Sequence, residues 1–338
     1  MTPLILGLAG PALTDDERAF FREVAPAGFI LFKRNVTDRV QMKALTDELR
    51  SIAGRDDVPI LIDQEGGRVA RMQPPEWPAF PRGSDFDKLY DIGPMSAIEA
   101  IRANAQALAV MLREVGVNVD CLPLLDVRQP GAHDIIGDRA LGTEPLRVAA
   151  LGRATLEGLK AGGAVGVVKH VPGHGRAMSD SHIELPVVDA SAEELETDLA
   201  PFKTLAWAPM AMTAHVVYTT WDKDQCASLS PKVIGEIVRG RIGFDNLLMS
   251  DDLGMHALKG SFTDRAAGVI AAGCDVGLHC SGDMAEMQAC VAGVGEIAPR
   301  ARERLDAAMA TIAGGTDKTA FDELVARRDT LLALSAEA

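Results

Sequence analysis

Eight short apolar runs, each bounded by turn-forming residues, alternate with longer amphipathic stretches along the 338 residues of the chain. The runs are Leu4 to Leu8, Gly28 to Phe32, Val58 to Ile62, Val117 to Leu124, Gly166 to Lys169, Met210 to Val216, Asn246 to Ser250 and Cys274 to Leu278. A short, continuously apolar segment suits a strand covered on both faces, and the amphipathic stretch after it suits a crossover helix. Helical patterns fall at Asp15 to Val24, Thr37 to Ala53, Ala97 to Val115, Pro145 to Ala161, Ala192 to Leu205, Pro231 to Arg239 and Thr263 to Ala272. Thr14 and Thr37 stand where N-caps are expected. Eight βα units predict a closed (β/α)8 barrel of the TIM type, since a doubly wound sheet does not normally need so many strands. The segment from Gln73 to Pro94 carries Pro74, Pro75, Pro78, Pro81 and Pro94 and reads as a long loop after the third strand. Beyond Asp283 the pattern is helical, as expected of elements from about residue 283 to 335 that pack on the barrel. With no internal repeat or linker, one domain over residues 1–338 is the economical expectation.

Composition removes several function classes. A formal charge of −14 repels a phosphate backbone, so no nucleic-acid partner is expected. Cys121, Cys226, Cys274, Cys280 and Cys290 are odd in number and form no C-x-x-C pair, which predicts neither a disulfide framework nor a zinc ribbon and suits a reducing cytoplasm. The apolar start lacks a basic segment and is broken by Gly10-Pro11, so it reads as a first strand and not as a signal peptide. No apolar run approaches the ~18 to 20 residues of a membrane span.

Polar residues follow the ends of five of the expected strands: Asp63-Gln64-Glu65-Gly66-Gly67-Arg68, Asp126, Lys169-His170, His215 and Asp251-Asp252. One such residue is usually a cap or a solvated turn, but several at one barrel mouth indicate a binding site. Lys169 to His182 is the densest stretch, with three of the seven histidines. Its glycines do not form G-x-x-x-x-G-K-[ST], so they are not a phosphate loop. Asp180-Ser181-His182 reads either as a locally bonded turn or as a carboxylate orienting a general acid/base.

Lys169-His170, Pro172-Gly173-His174-Gly175 and Asp180-Ser181-His182 together resemble the signature of bacterial β-N-acetylglucosaminidases of glycoside hydrolase family 3, the NagZ type. Asp63 to Val69 is similar to that family's motif after strand three, Gly137-Asp138-Arg139 to its loop after strand four, and Ser250-Asp251-Asp252-Leu253-Gly254-Met255 to its nucleophile strand end. Val171 and His256 depart from the usual residues without touching the chemistry.

The resemblance implies Asp251 as nucleophile, His182 as acid/base and Asp180 as the residue that orients His182. It further implies Asp63, Arg71, Arg139, Lys169 and His170 as the sugar-binding set. Retaining hydrolysis of terminal N-acetylglucosamine from muropeptides in cytoplasmic peptidoglycan recycling is then expected, with no metal and no cofactor, by a monomer or weak homodimer. The loop from Val171 to Pro186 is expected to close over bound sugar. His174 is expected to shape that loop, and His215 either borders the sugar or is a buried, hydrogen-bonded core residue. Three alternatives stand beside this reading: a zinc hydrolase using His170, His174, His182 and Asp251, a non-catalytic muropeptide sensor, and the same site working as a phosphorylase.

Overall fold

The structure is a computed structural model and describes residues 1–179, 184–313 and 319–335. Eight strands close into a parallel barrel: β1 (Thr2–Leu6), β2 (Pro26–Leu31), β3 (Ile60–Ile62), β4 (Val119–Asp120), β5 (Val165–Val171), β6 (Met210–Thr213), β7 (Leu247–Asp252) and β8 (Val276–His279). Each strand pairs with its neighbour in sequence, and β8 returns to β1 through Leu4 opposite Gly277 and Ile5 opposite Leu278. Val187–Val188 and Val217–Tyr218 form a separate two-stranded ribbon over the loops.

The strands carry the pleat's period of two. Ile5, Ile30, Leu61, Val167, Met249 and Leu278 fill the barrel interior, while Leu4, Leu6, Phe29, Leu31, Ile60, Ile62, Val168 and Leu248 face the helical layer. Continuing the inward alternation two residues toward the strand C-termini replaces Leu61 by Asp63, Val167 by Lys169 and Met249 by Asp251. The step that builds the core therefore also aims charge into the mouth.

Helix boundaries follow local chemistry. Thr14 caps Asp15–Val24 by accepting from the Glu17 amide while the Glu17 carboxylate receives the Thr14 amide. Thr37 does not cap the next helix. Asp38 does, accepting from the Gln41 amide at 2.8 Å, so Arg39–Ala53 begins two residues later than expected. The stretch from Gln73 to Pro94 also differs from expectation, because Gly83–Ile92 is a helix. Four prolines occupy its first half, and Pro94 starts the following helix at a position that has no amide to lose. Between them Phe86 and Leu89, three residues apart, bury one helical face. The fourth strand is shorter than expected: its regular ladder ends at Asp120, and beyond it the chain stays tied to its neighbours by irregular backbone bonds, Val167 N–H to Leu122 O at 2.7 Å and Lys169 N–H to Pro123 O at 3.1 Å among them, with Pro123 having no amide to donate.

The segment after Asp283 contains three helices among the described residues, Met284–Ala292, Pro299–Ala310 and Phe321–Ala333. Pro299–Ala310 closes the barrel at the end opposite the site: Leu305, Ala308 and Met309 join the interior cluster. Arg304 holds Asp275 at 2.8 Å beside the start of β8. Phe321–Ala333 packs on Pro94–Glu114, with buried Arg328 donating to Asn104 Oδ1 at 3.2 Å. No described helix is long and apolar enough to cross a membrane.

Because Leu305 is fully buried in the barrel floor, Leu305→Ala should cost about 2–5 kcal/mol. The measurement is the urea midpoint, and an unchanged midpoint would show that the floor does not depend on this helix.

Candidate active site

A cavity of about 460 Å³ opens at the C-terminal ends of the strands. It is lined by Asp63, Arg71, Arg139, Lys169, His170 and Asp251, six of the residues expected from sequence. The remaining two, Asp180 and His182, lie outside the described residues.

One wall is a chain of ion pairs. The Lys169 ammonium, 3% exposed, donates to Asp63 Oδ1 at 3.0 Å and lies 2.7 Å from Glu65 Oε1. Arg71 reaches the other oxygen of Asp63 at 3.0 Å, and Arg139 grips Glu65 through two contacts of 2.8 Å. Burial alone disfavours each of these charges, but the partners outweigh it. Lys169 and Arg71 hold the Asp63 carboxyl well below the usual carboxylate range, and Arg139 with Lys169 pulls Glu65 down to about 2. In the same way Glu65 and Asp63 raise Lys169 above an ordinary lysine despite its burial. All members are ionised at neutral pH.

Local folding explains the eight-residue separation of Asp63 and Arg71. The buried Gln64 side chain accepts from the Arg71 and Met72 amides at 2.9 and 3.0 Å and donates to Met72 O, turning the chain back on itself. Gly66 makes the turn with φ +97°, and a Cβ there would come within 2.1 Å of Pro81 O. Arg71 also lies over the Phe32 ring at 5.0 Å.

A second group sits on the loop after β4, the end of β5 and the loop that follows it. Asp126, fully buried, accepts from the His170 and His174 amides at 3.2 and 2.6 Å and pairs with His170 Nδ1 at 2.8 Å. A proton on Nδ1 satisfies that contact. Burial works against the Asp126 charge, yet His170 and His174 bring its pKa to about 2. Gly175 passes so close to the strand-four loop that a Cβ would meet Val127 O at 2.0 Å. His174 is buried, and desolvation together with His170 lowers it to about 4, so it is neutral at pH 7.

Asp251 ends the alternation on β7. Its Oδ1 accepts from the Asp252 amide at 2.8 Å. Burial raises its pKa, but His170, His215, that amide and Lys169 lower it by more, which keeps the carboxylate anionic. Asp252 faces sideways, its Oδ1 accepting from the Gly254 and Cys280 amides at 2.9 and 3.0 Å, and so fixes the turn that presents Asp251. His215 does not line the cavity. It is fully buried, with Nε2 donating to Asp252 O at 3.0 Å and Nδ1 paired with Ser228 Oγ at 2.8 Å.

Glu65 and Asp126 stand in the sequence among the strand-end carboxylates, yet their partners, Arg139 and His170, lie 74 and 44 residues away. Spacing gives no access to such pairs. A third carboxyl, Asp120, lies fully buried at the end of β4. Its Oδ1 accepts from the Gln64 amide at 3.0 Å, and burial raises its pKa well above that of an ordinary aspartate. Among the described residues no three His, Cys, Asp or Glu side chains converge as a metal site.

The arrangement offers fixed donors and acceptors for a polyhydroxylated ligand beside an anionic carboxylate. Since Glu65 falls from 4.5 to about 2 on folding, its stabilisation is full above about pH 4.5 and lost as the pH falls through 2; a shift of this size is worth about 3 kcal/mol. Glu65→Gln should therefore be destabilised by roughly that amount at pH 7, with the deficit narrowing in acid. Chemical denaturation at pH 7 and pH 3 checks this, and a pH-independent deficit would contradict it.

A profile of the Glycosyl hydrolase family 3 N terminal domain matches residues 6–313. A beta-hexosaminidase of Bordetella pertussis is 37% identical over 292 residues, covering 84% of this chain and 81% of that protein. One from Aromatoleum aromaticum is 35% identical over 310 residues, covering 90% and 86%. Among solved structures, NagZ from Neisseria gonorrhoeae in complex with N-trifluoroacetyl-D-glucosamine is 30% identical with a TM-score of 0.86, covering 99% of this chain and 98% of that one. A family 3 beta-N-acetylglucosaminidase from Paenibacillus sp. is 29% identical with a TM-score of 0.85, covering 98% of this chain and 67% of that one. With the strand-end motifs, the closed barrel and the profile in agreement, this chain belongs to glycosyl hydrolase family 3.

Proposed function

We propose that the protein is a retaining exo-β-N-acetylglucosaminidase. It removes terminal, non-reducing N-acetylglucosamine from muropeptides of the GlcNAc-1,6-anhydroMurNAc type in cytoplasmic peptidoglycan recycling. The observation that carries the reading is the placement of an anionic Asp251 in the same cavity as Asp63, Arg71, Arg139, Lys169 and His170. The named activities of the relatives at 35–37% identity support it.

In this mechanism a carboxylate oxygen of Asp251 attacks the anomeric carbon as the bond to the leaving oxygen breaks, and that oxygen takes a proton from His182. His182, oriented by Asp180, then removes a proton from water, which attacks the anomeric carbon and releases Asp251. The roles of Asp180 and His182 rest on the family resemblance. The ion-pair wall holds the sugar hydroxyls, and a carbohydrate alone is the ligand required.

Purified protein should release p-nitrophenol from its β-N-acetylglucosaminide much faster than from the β-glucoside. Asp251→Asn should lower kcat by several orders of magnitude. Proton NMR should show the β-anomer of the sugar first, because two displacements at one carbon restore its configuration. Early α-anomer would remove the covalent step, and a sugar 1-phosphate formed on adding phosphate would replace hydrolysis by phosphorolysis.

His182→Ala should impair a disaccharide far more than a dinitrophenyl glycoside, whose departure needs little protonation. Azide should partly restore turnover of the activated substrate. Equal losses on both substrates with no rescue would assign His182 a structural role.

A further inference from the structure

The loop after β4 runs along the end of β5 and the loop that follows it, held there by backbone bonds. The Leu125 amide donates to Lys169 O at 2.6 Å, the Gln129 amide to Gly175 O at 3.0 Å and the His133 amide to Ala177 O at 2.9 Å. None of these bonds uses the side chain of Asp126, although that residue stands among them, fully buried. Its two oxygens have separate tasks. Oδ1 accepts from the His170 and His174 amides, and Oδ2 meets His170 Nδ1 at 2.8 Å.

Two amides alone do not call for a charge. A neutral side-chain carbonyl would accept from both without the desolvation penalty of a buried anion, and the ion pair that Asp126 makes among the described residues is with His170. What the charge adds is therefore the contact on Oδ2. Beside an ionised carboxylate a neutral imidazole keeps its proton on Nδ1 and presents Nε2 as an acceptor. The His170 ring lines the sugar cavity together with Arg71, Arg139 and Lys169. A sugar hydroxyl both donates and accepts, whereas these three cations can only donate to it, so an acceptor beside them completes its bonding.

We propose that Asp126 is a positioning residue of the sugar site: through Oδ2 it fixes the rotation and the tautomer of His170, so that Nε2 accepts a hydrogen bond from a hydroxyl of the terminal sugar. The inference rests on the hydrolase reading above and adds a residue that does not itself line the cavity.

The division of labour between the two oxygens supplies the test. In Asp126→Asn the remaining oxygen still takes both backbone amides, while the side-chain NH2 donates to His170 Nδ1 and drives the ring proton to Nε2. The loops stay in place and the acceptor becomes a donor. With p-nitrophenyl β-N-acetylglucosaminide, kcat/KM should fall by about five- to a hundredfold, the range for one mispaired buried polar group. His170→Ala should lose a comparable amount. Adding Asp126→Asn to His170→Ala should then change kcat/KM by less than about twofold, because the residue it acts through has gone. Losses that simply add, as they would if Asp126 only stabilised the loops, overturn the proposal, and so does full activity of Asp126→Asn. The urea midpoint of each variant reports its folding.

A measurement on the unaltered protein is independent of how any variant folds. In isotope-labelled protein at about pH 8, proton–nitrogen NMR correlations of the His170 ring, assigned by their loss in His170→Ala, should show Nδ1 protonated and Nε2 bare. A protonated Nε2 overturns the proposal. Cleavage of p-nitrophenyl β-N-acetylglucosaminide by the unaltered enzyme separates these results from failure of the hydrolase reading, in which no substrate is turned over.

Discussion

Lys169 depends on both its carboxylates. An ammonium 3% exposed between Asp63 and Glu65 pays a large desolvation cost, and removing one partner from a buried pair typically costs about 3–5 kcal/mol because a charge is left uncompensated. The wall is therefore stable only when complete, and completeness requires the ends of β3 and β5 and the loop after β4 to meet within about 3 Å, as hydrogen bonding demands. Barrel closure provides that. Three cations, Arg71, Lys169 and Arg139, face two carboxylates, so the wall is net positive, and Lys169 contributes to holding Asp251 in its anionic form.

Protonation around the cavity is sorted by neighbours more than by burial. Asp63, Glu65, Asp126, Asp251 and Asp120 all experience desolvation that favours the neutral acid. The first four have cationic or imidazole partners within reach and ionise. Asp120 has one amide on Oδ1 and no partner on Oδ2 among the described residues, with Asp63 and Glu65 nearby to oppose a further negative charge. It fixes the end of β3 through Gln64, and Lys169 lowers its pKa by less than burial raises it. His174 and His215 are lowered below an ordinary histidine, chiefly by burial. Among the groups acting on Asp251, Lys169 supplies the permanent positive charge and the Asp252 amide a fixed donor.

The barrel was legible in the sequence because its signal is periodic. Apolar runs bounded by turn residues marked all eight strands, and Asp15–Val24 and Pro145–Ala161 begin and end where their patterns do. What escaped was local competition. Proline density hid Gly83–Ile92, although Phe86 and Leu89 carry its helical spacing, and Asp38 outcompeted Thr37 as a cap. At the site, strand-end position identified Asp63, Lys169 and Asp251, since that depends only on alternation. Arg71 and Arg139 came from family resemblance alone, because what places them is a Gln64-braced turn and a salt bridge across 74 residues. Asp126 as the partner of His170 is a tertiary fact of the same kind.

Rigid and variable tasks occupy different parts of the chain. Asp63, Lys169 and Asp251 project from strand ends whose interior neighbours Leu61, Val167 and Met249 are locked in the barrel core, so their spacing cannot change without repacking it. Such anchors suit the part of a ligand that stays constant. The residues bordering the other side of the cavity come from loops, where substitutions leave the core intact. Arg68 couples the two regions: its contacts to Asp138 and to the carbonyls of Asp134 and Ile135 fasten the 134–138 segment to the turn after β3. On the proposed reading, recognition of a terminal sugar is built into the barrel, while loop residues can change without disturbing the charge wall.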